Sequence, residues 1–207
     1  HAFIDRALYL PKIWTGDPAR LAATHAPEPI AFATKPALAV QMIHRALAAN
    51  VPFSWVTADA VYGVGDVEQA LRRACKGYVL GVKSDHHFGS WSGKPPVAGK
   101  AQEIAQDLDP DAWSRLSAGE GTKGARLHDW AYCELADLDA DEYDDTKSGV
   151  WTRGLLIRRN ISDGDLAYFS TWCPAGTNIQ TLVAVEGHRW AIEDSFETTK
   201  NELGLDH

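Results

Sequence analysis

Two stretches decide the fold: Phe53-Ser54-Trp55-Val56-Thr57-Ala58-Asp59-Ala60-Val61-Tyr62-Gly63, and Gly77-Tyr78-Val79-Leu80-Gly81-Val82 after it. Phe53 to Ala58 is a short, mostly apolar run containing Trp55 and Val56, the mark of a buried strand, and Tyr78 to Val82 reads the same way. Between them, Gly63 and Gly65 open a turn and Asp66 is placed to cap a helix. Val67, Ala70, Leu71 and Ala74 then follow helical spacing up to Gly77. Strand, helix, strand implies parallel pairing with the helix across the sheet, because parallel neighbours need a crossover.

Upstream, Thr34 opens a helix with Pro36 in its first turn and Ala39, Met42, Ile43, Ala46 and Leu47 along one face, and Asn50 to Pro52 stops it. Asp17-Pro18 predicts a helical turn over Pro18 to Ala23, followed by a loop at Ala26 to Pro29. Ala2 to Leu10 alternates in part and ends at Pro11, which predicts an edge strand.

Downstream, Gly, Pro, Ser and Lys dominate from Asp85 to Lys100, and a short helical stretch follows near Ala101 to Leu108. His128 to Leu135, Val150 to Arg159 and Leu166 to Cys173 are rich in aromatic or β-branched residues and read as strands of a β-rich insertion. Glu134 to Asp145 holds seven acidic residues and no basic one, a solvated hairpin loop rather than a site. Asn178 to Leu203 is expected to be one long helix with Val185, Ile192, Phe196 and Leu203 on a face, and Gly187 tolerated inside it at a cost of about 1 kcal/mol. The organisation is therefore a core in two parts, 1–85 and 177–207, around an insertion over 86–176.

A chain of 207 residues suffices for one interrupted domain, and 45% hydrophobic against 23% charged residues excludes disorder. No apolar run approaches the roughly 18 residues of a membrane span, and no signal-peptide pattern opens the chain, so a cytoplasmic protein without membrane partners is expected. Cys75, Cys133 and Cys173 lack zinc spacing and read as reduced thiols. A net charge of -8 excludes a surface that is basic throughout, while leaving room for a local basic cleft.

Asp59 stands at the carboxyl end of a central strand, the edge where ligands of open α/β sheets bind, so it can hold a metal or simply cap the turn. Arg189 and Glu193 are four apart and Glu193 and Lys200 seven apart, which puts an acid between two cations on one helical face. The cations keep the acid ionised and can meet phosphate oxygens, although ordinary surface ion pairs have the same spacing. Asp85-His86-His87 has ligand-type residues, but neighbours on an extended segment point apart. Trp91, Trp130, Trp151 and Trp172 suit a small core better than base stacking.

The segment His188-Arg189-Trp190-Ala191-Ile192-Glu193, with Phe196 and Lys200, resembles the signature helix of DDE transposases from bacterial insertion sequences, built on tyrosine, arginine, glutamate and lysine. Arg189, Glu193 and Lys200 match, and Glu186 stands where that family has tyrosine. Thr57-Ala58-Asp59-Ala60-Val61-Tyr62-Gly63 resembles the second acidic motif, and Phe3 to Arg6, Leu8 to Pro11, Tyr78 to Lys83 and Glu202 to His207 agree as well. The resemblance implies an α/β, RNase H-like mixed sheet flanked by helices, interrupted by the insertion before the last helix. It implies metal-dependent DNA strand cleavage and strand transfer, with Asp59 and Glu193 as catalytic metal ligands for Mg²⁺ or Mn²⁺, two ions in the complete enzyme. Arg189 and Lys200 would contact DNA, with transposon ends and target as partners and a homodimer as a further one. Asp5 matches the third strand of that fold rather than the first, so the chain is expected to be a fragment lacking the first catalytic aspartate. The alternatives are a non-catalytic remnant or DNA-binding scaffold, and an unrelated hydrolase using His86, His87 and Asp59.

Overall fold

The structure, a computed structural model, describes residues 4–23, 31–89, 98–121, 124–135 and 151–203. The loop expected at Ala26 to Pro29, Trp91, and the acidic run beyond Leu135 lie outside the described residues. The first described segment, Ile4 to Leu10, is not the strand its alternation predicts. A strand exists through hydrogen bonds to a neighbour, and none of the described strands pairs with this segment, leaving Ile4 and Leu8 at 69% and 64% exposure. Asp5 instead accepts a 2.8 Å bond from Arg45 Nε. Two short helices follow, α1 (Lys12–Thr15) and α2 (Pro18–Ala23), the second at the predicted residues.

Helix α3 (Lys35–Ala48) begins at Thr34, whose hydroxyl accepts the Ala37 N–H at 3.2 Å, and Pro36 occupies the first turn, where a missing N–H costs nothing. Strand β1 (Trp55–Ala58), helix α4 (Gly65–Arg73) and strand β2 (Gly77–Val82) form the predicted parallel unit, with Trp55 opposite Gly77 and Ala58 opposite Leu80. Asp66 does not cap α4, however. Val64 holds that position without a side-chain bond, and Asp66 joins Glu68 in the first turn, where carboxylates meet the positive end of the helix dipole.

A two-stranded ribbon, β3 (His87–Phe88) and β4 (Gly99–Lys100), leads into helix α5 (Ala101–Gln106). Four strands follow: β5 (Ser114–Gly121), β6 (Gly124–Glu134), β7 (Trp151–Arg159) and β8 (Leu166–Pro174). Strand β5 has no sequence signature, because it is polar, carries Gly119 and Gly121, and runs along a sheet edge where one side of the ladder is open. The sheet has six strands in the order β1-β2-β8-β7-β6-β5, antiparallel except for the first pair. The β-rich run thus continues the central sheet through the β2–β8 pairing, giving the mixed α/β architecture of an RNase H-like fold.

Alternation along the strands sorts side chains between the two faces. Val79, Trp130, Leu156, Phe169 and Cys173 pack beneath helix α6 (Ile179–Gly187). On the other face, Tyr78, Leu80 and Trp172 meet Ile43, Val67 and Leu71 of α3 and α4, while Leu155, Ile157 and Tyr168 meet Ile104 and Ala105 of α5. Trp130 and Trp172 are core residues, and Trp172 stacks on Trp151 at 5.8 Å, so these three tryptophans build the interior as expected. Glu68 of α4 is buried on this face, where it accepts from Ser170 Oγ at 2.6 Å and from Arg72 at 3.3 Å and lies 3.9 Å from Arg153. Partners on β7 and β8 make this buried charge tolerable and pin the helix to the sheet.

At the far side of the sheet, Asp129 of β6 accepts from Arg115 of β5 at 3.0 Å and Arg159 of β7 at 3.2 Å. The Arg115 hydrogen bond, helped by Arg159, holds its carboxyl below the ordinary value of 3.8. A lowered folded pKa contributes stability that is present above the unfolded value and lost as pH falls through the folded one. Asp129→Asn is therefore expected to lower the Tm at neutral pH, with the difference from wild type beginning to shrink below about pH 4 and vanishing only once pH has fallen through the lowered folded pKa. A difference that persists unchanged at acid pH would show that the charge is not its source.

Candidate functional site

Asp59 emerges at the carboxyl end of β1, as predicted, and its Oδ1 accepts the Val61 N–H at 2.8 Å. The loop that follows bends back over β2 so closely that a Cβ on Gly63 would collide with the carbonyl oxygen of Gly81. Glycine is required there by the close approach of two backbones. The turn and the contact together fix where the Asp59 carboxylate stands.

The C-terminal region departs from expectation. In place of one helix there are two, α6, capped by Asn178 accepting from Thr181 N–H at 2.9 Å, and α7 (Trp190–Leu203). His188 and Arg189 form the elbow between them. Leu182, Val183, Val185, Glu186 and Gly187 are buried against the sheet, whereas Ile192 and Phe196 of α7 are 46% and 55% exposed. The common apolar face predicted across both segments does not exist, because only α6 lies on the sheet.

The elbow brings Arg189 to the sheet edge. A cleft of about 340 Å³ is lined by Asp59, Ala60, Gly81, Arg158, Tyr168 and Arg189, among others. Arg189 Nη1 donates to Glu193 Oε1 at 2.6 Å, so the acid of α7 is one hydrogen bond away from the cleft, its side chain 44% exposed. Lys200 lies on the exposed surface of α7 and is not among the cleft-lining residues. The structure therefore brings Asp59 and Arg189 together, couples Glu193 to them through Arg189, and leaves Lys200 apart.

Two further side chains were not anticipated as site residues. Arg158, near the end of β7, lines the cleft and donates to Glu186 Oε1 at 3.1 Å. Glu186 of α6 is fully buried, and burial pushes its carboxyl up from the ordinary value of 4.5 despite the pull of Arg158 and Arg189. The signal for Arg158 was its parity with Leu156 on β7, which points both side chains to the α6 face.

The DDE superfamily endonuclease family matches residues 1–132. The chain belongs to that family. No curated protein sequence matches it. The matched span holds β1, β2 and Asp59, and the family places the chain among nucleases that act on DNA with divalent metal ions. No helix among the described residues is long and apolar enough to cross a membrane.

Carboxylate oxygens at the end of a sheet are the donors that hard ions such as Mg²⁺ or Mn²⁺ take. Asp59 fits this chemistry. Glu193 offers the same donors but spends one oxygen on Arg189. Among the described residues, no group of three or more His, Cys, Asp or Glu side chains is close enough together to hold an ion. The alternative His86, His87 and Asp59 set is not assembled either. His86 packs on Phe88 with ring centroids 4.8 Å apart, and burial lowers its pKa from 6.5.

Proposed function

We propose that this chain is part of the catalytic core of a DNA transposase that performs strand cleavage and strand transfer. Asp59 and Glu193 are its metal-facing carboxylates, and Arg189 and Lys200 are its contacts to DNA phosphates. The observation that carries the reading is a cleft lined both by Asp59, at the end of a parallel strand, and by an arginine bonded to Glu193. Residues 1–85 and 177–207 supply this site, and the strands within 86–176 form its platform. Divalent ions, two in the complete enzyme, would activate the attacking oxygen and stabilise the leaving one in an in-line displacement.

The chain's own groups account for the rest. Arg189 presents a planar guanidinium that can pair with a phosphate in bidentate fashion, and DNA arriving there would draw it away from Glu193. Exchange of a carboxylate for a phosphate partner frees Glu193 at the moment substrate binds. Transposon ends and target DNA would both pass this cleft, a homodimer providing the second end.

In the complete enzyme, Glu193→Gln is expected to abolish cleavage while leaving the Kd for duplex DNA within about threefold of wild type, since binding rests on phosphate contacts. Gel-based nicking assays with Mg²⁺ and fluorescence titrations with the same duplex measure the two quantities. Equal loss of both would assign Glu193 a structural role. A DNA-binding scaffold without chemistry is the second reading, favoured by the Arg189–Glu193 lock, and it requires that wild type bind duplex without cleaving it at any Mg²⁺ or Mn²⁺ concentration.

A further inference from the structure

The mechanism above leaves two cleft-side groups unused, Arg158 and Glu186. Arg158 and Arg189 come from different parts of the chain, β7 and the α6–α7 elbow, yet both line the cleft that holds Asp59 and both keep about a fifth of their side-chain surface open, 20% and 21%. Between them sits the Glu186 carboxylate, 0% exposed, with Oε1 3.1 Å from Arg158 Nη1 and 3.8 Å from Arg189 Nε. Its Oε2 has no hydrogen-bond partner among the described residues. A buried acid with one oxygen unbonded is costly, and a buried ion cluster as a whole is often no more stable than well-packed apolar residues in its place. What it does supply is direction: one oxygen holds two guanidiniums beside each other at the cleft.

We propose that Arg158 is a second phosphate-binding arginine of the cleft and that Glu186 is the positioning residue that aims Arg158 and Arg189 at adjacent phosphate oxygens of a DNA backbone. The inference rests on the reading of the cleft as a DNA site. Two arginines gathered on one carboxylate oxygen offer a pair of guanidiniums to a phosphodiester group, and each keeps donors that Glu186 does not use, because guanidinium carries five N–H groups. Burial raises the Glu186 pKa from its ordinary value, against the pull of Arg158 and Arg189, so the two guanidiniums are what favours its charged form.

The sign of one substitution separates positioning from bulk electrostatics. Glu186→Gln removes a negative charge beside the cleft, so a role limited to charge would strengthen DNA binding. A positioning role weakens it, because the amide holds the guanidiniums loosely. The test is titration of a fluorescent mixed-sequence duplex into the full chain at several salt concentrations, with Tm recorded for every variant. Arg158→Ala is expected to weaken binding on the order of tenfold and to reduce the slope of log K against log salt by about one, as loss of a phosphate contact does. Arg158→Lys should keep the slope, since a charge remains. Glu186→Gln should weaken binding severalfold. If Glu186→Gln fails to fold, the Arg158→Ala and Arg158→Lys pair decides alone. Wild-type slope in Arg158→Ala, with Arg189→Ala impaired, overturns this proposal and leaves the DNA-binding cleft standing. Tighter binding by folded Glu186→Gln overturns the positioning role. Failure of wild type to bind the duplex overturns both readings.

Discussion

Asp59→Asn in the complete enzyme is expected to reduce metal-dependent strand cleavage by about a thousandfold or more while leaving the Tm unchanged. The structure makes this substitution informative because Asp59 has two duties on different grounds. Its Oδ1 closes the turn by accepting the Val61 N–H, and an asparagine oxygen does the same. Under the proposed function its charge serves the cleft alone. Asparagine therefore keeps the turn and removes the carboxylate, whereas Asp59→Ala loses both and should also cost about 1 kcal/mol of stability, as loss of a comparable side-chain cap does. Single-turnover nicking with saturating Mg²⁺, alongside thermal melting, reads the two effects. Cleavage by Asp59→Asn at the wild-type rate would make Asp59 a turn residue and nothing more.

Gly187→Ala is expected to destabilise the fold by about 3 kcal/mol or more, at the upper end of what overpacking costs. An added Cβ would run into the carbonyl oxygen of Ala118 on β5, which is backbone and cannot rotate away. The glycine is thus where the α6 backbone lies directly against the β5 backbone, just before the elbow that presents Arg189. Lifting α6 would also move Glu186 and the arginine it holds. Gly65→Ala is the control. Nothing lies within 4 Å of a Cβ there, and the residue already opens α4, so the substitution should be neutral or stabilising by about 0.5 kcal/mol. Urea denaturation of both variants distinguishes the outcomes, and equal stability of Gly187→Ala and wild type would contradict the packing of α6 on β5.

Much of the fold was legible because its signals are local. Thr34 with Pro36, the apolar spacing of α3 and α4, and the β-branched and aromatic runs of β6, β7 and β8 each state a backbone preference within a few residues. The same holds for Asp59, whose place follows from an apolar strand ending at a turn, although β1 is half-buried at the sheet edge and not the buried central strand expected. Signals that need a partner were misleading. Ile4 to Leu10 alternates like a strand and has none beside it among the described residues, and Ser114 to Gly121 shows no strand composition yet pairs with β6 along an edge.

The chain from Asn178 to Leu203 marks the boundary most clearly. Its composition and spacing determined helix, and determined that Arg189 and Glu193 would meet, because four-residue spacing is a property of the backbone alone. Where that helix breaks was decided by tertiary structure: α6 is drawn onto the sheet through Gly187, and α7 leaves it. Sequence by itself thus determined the element types, the parallel unit that carries Asp59, and the local Arg189–Glu193 pair. Only the tertiary structure decided that β8 joins β2, that Arg158 lines the cleft with Glu186 buried against it, and that Lys200 stands apart from it. Those facts depend on contacts between segments far apart in the chain, and such contacts leave no periodic trace in either segment.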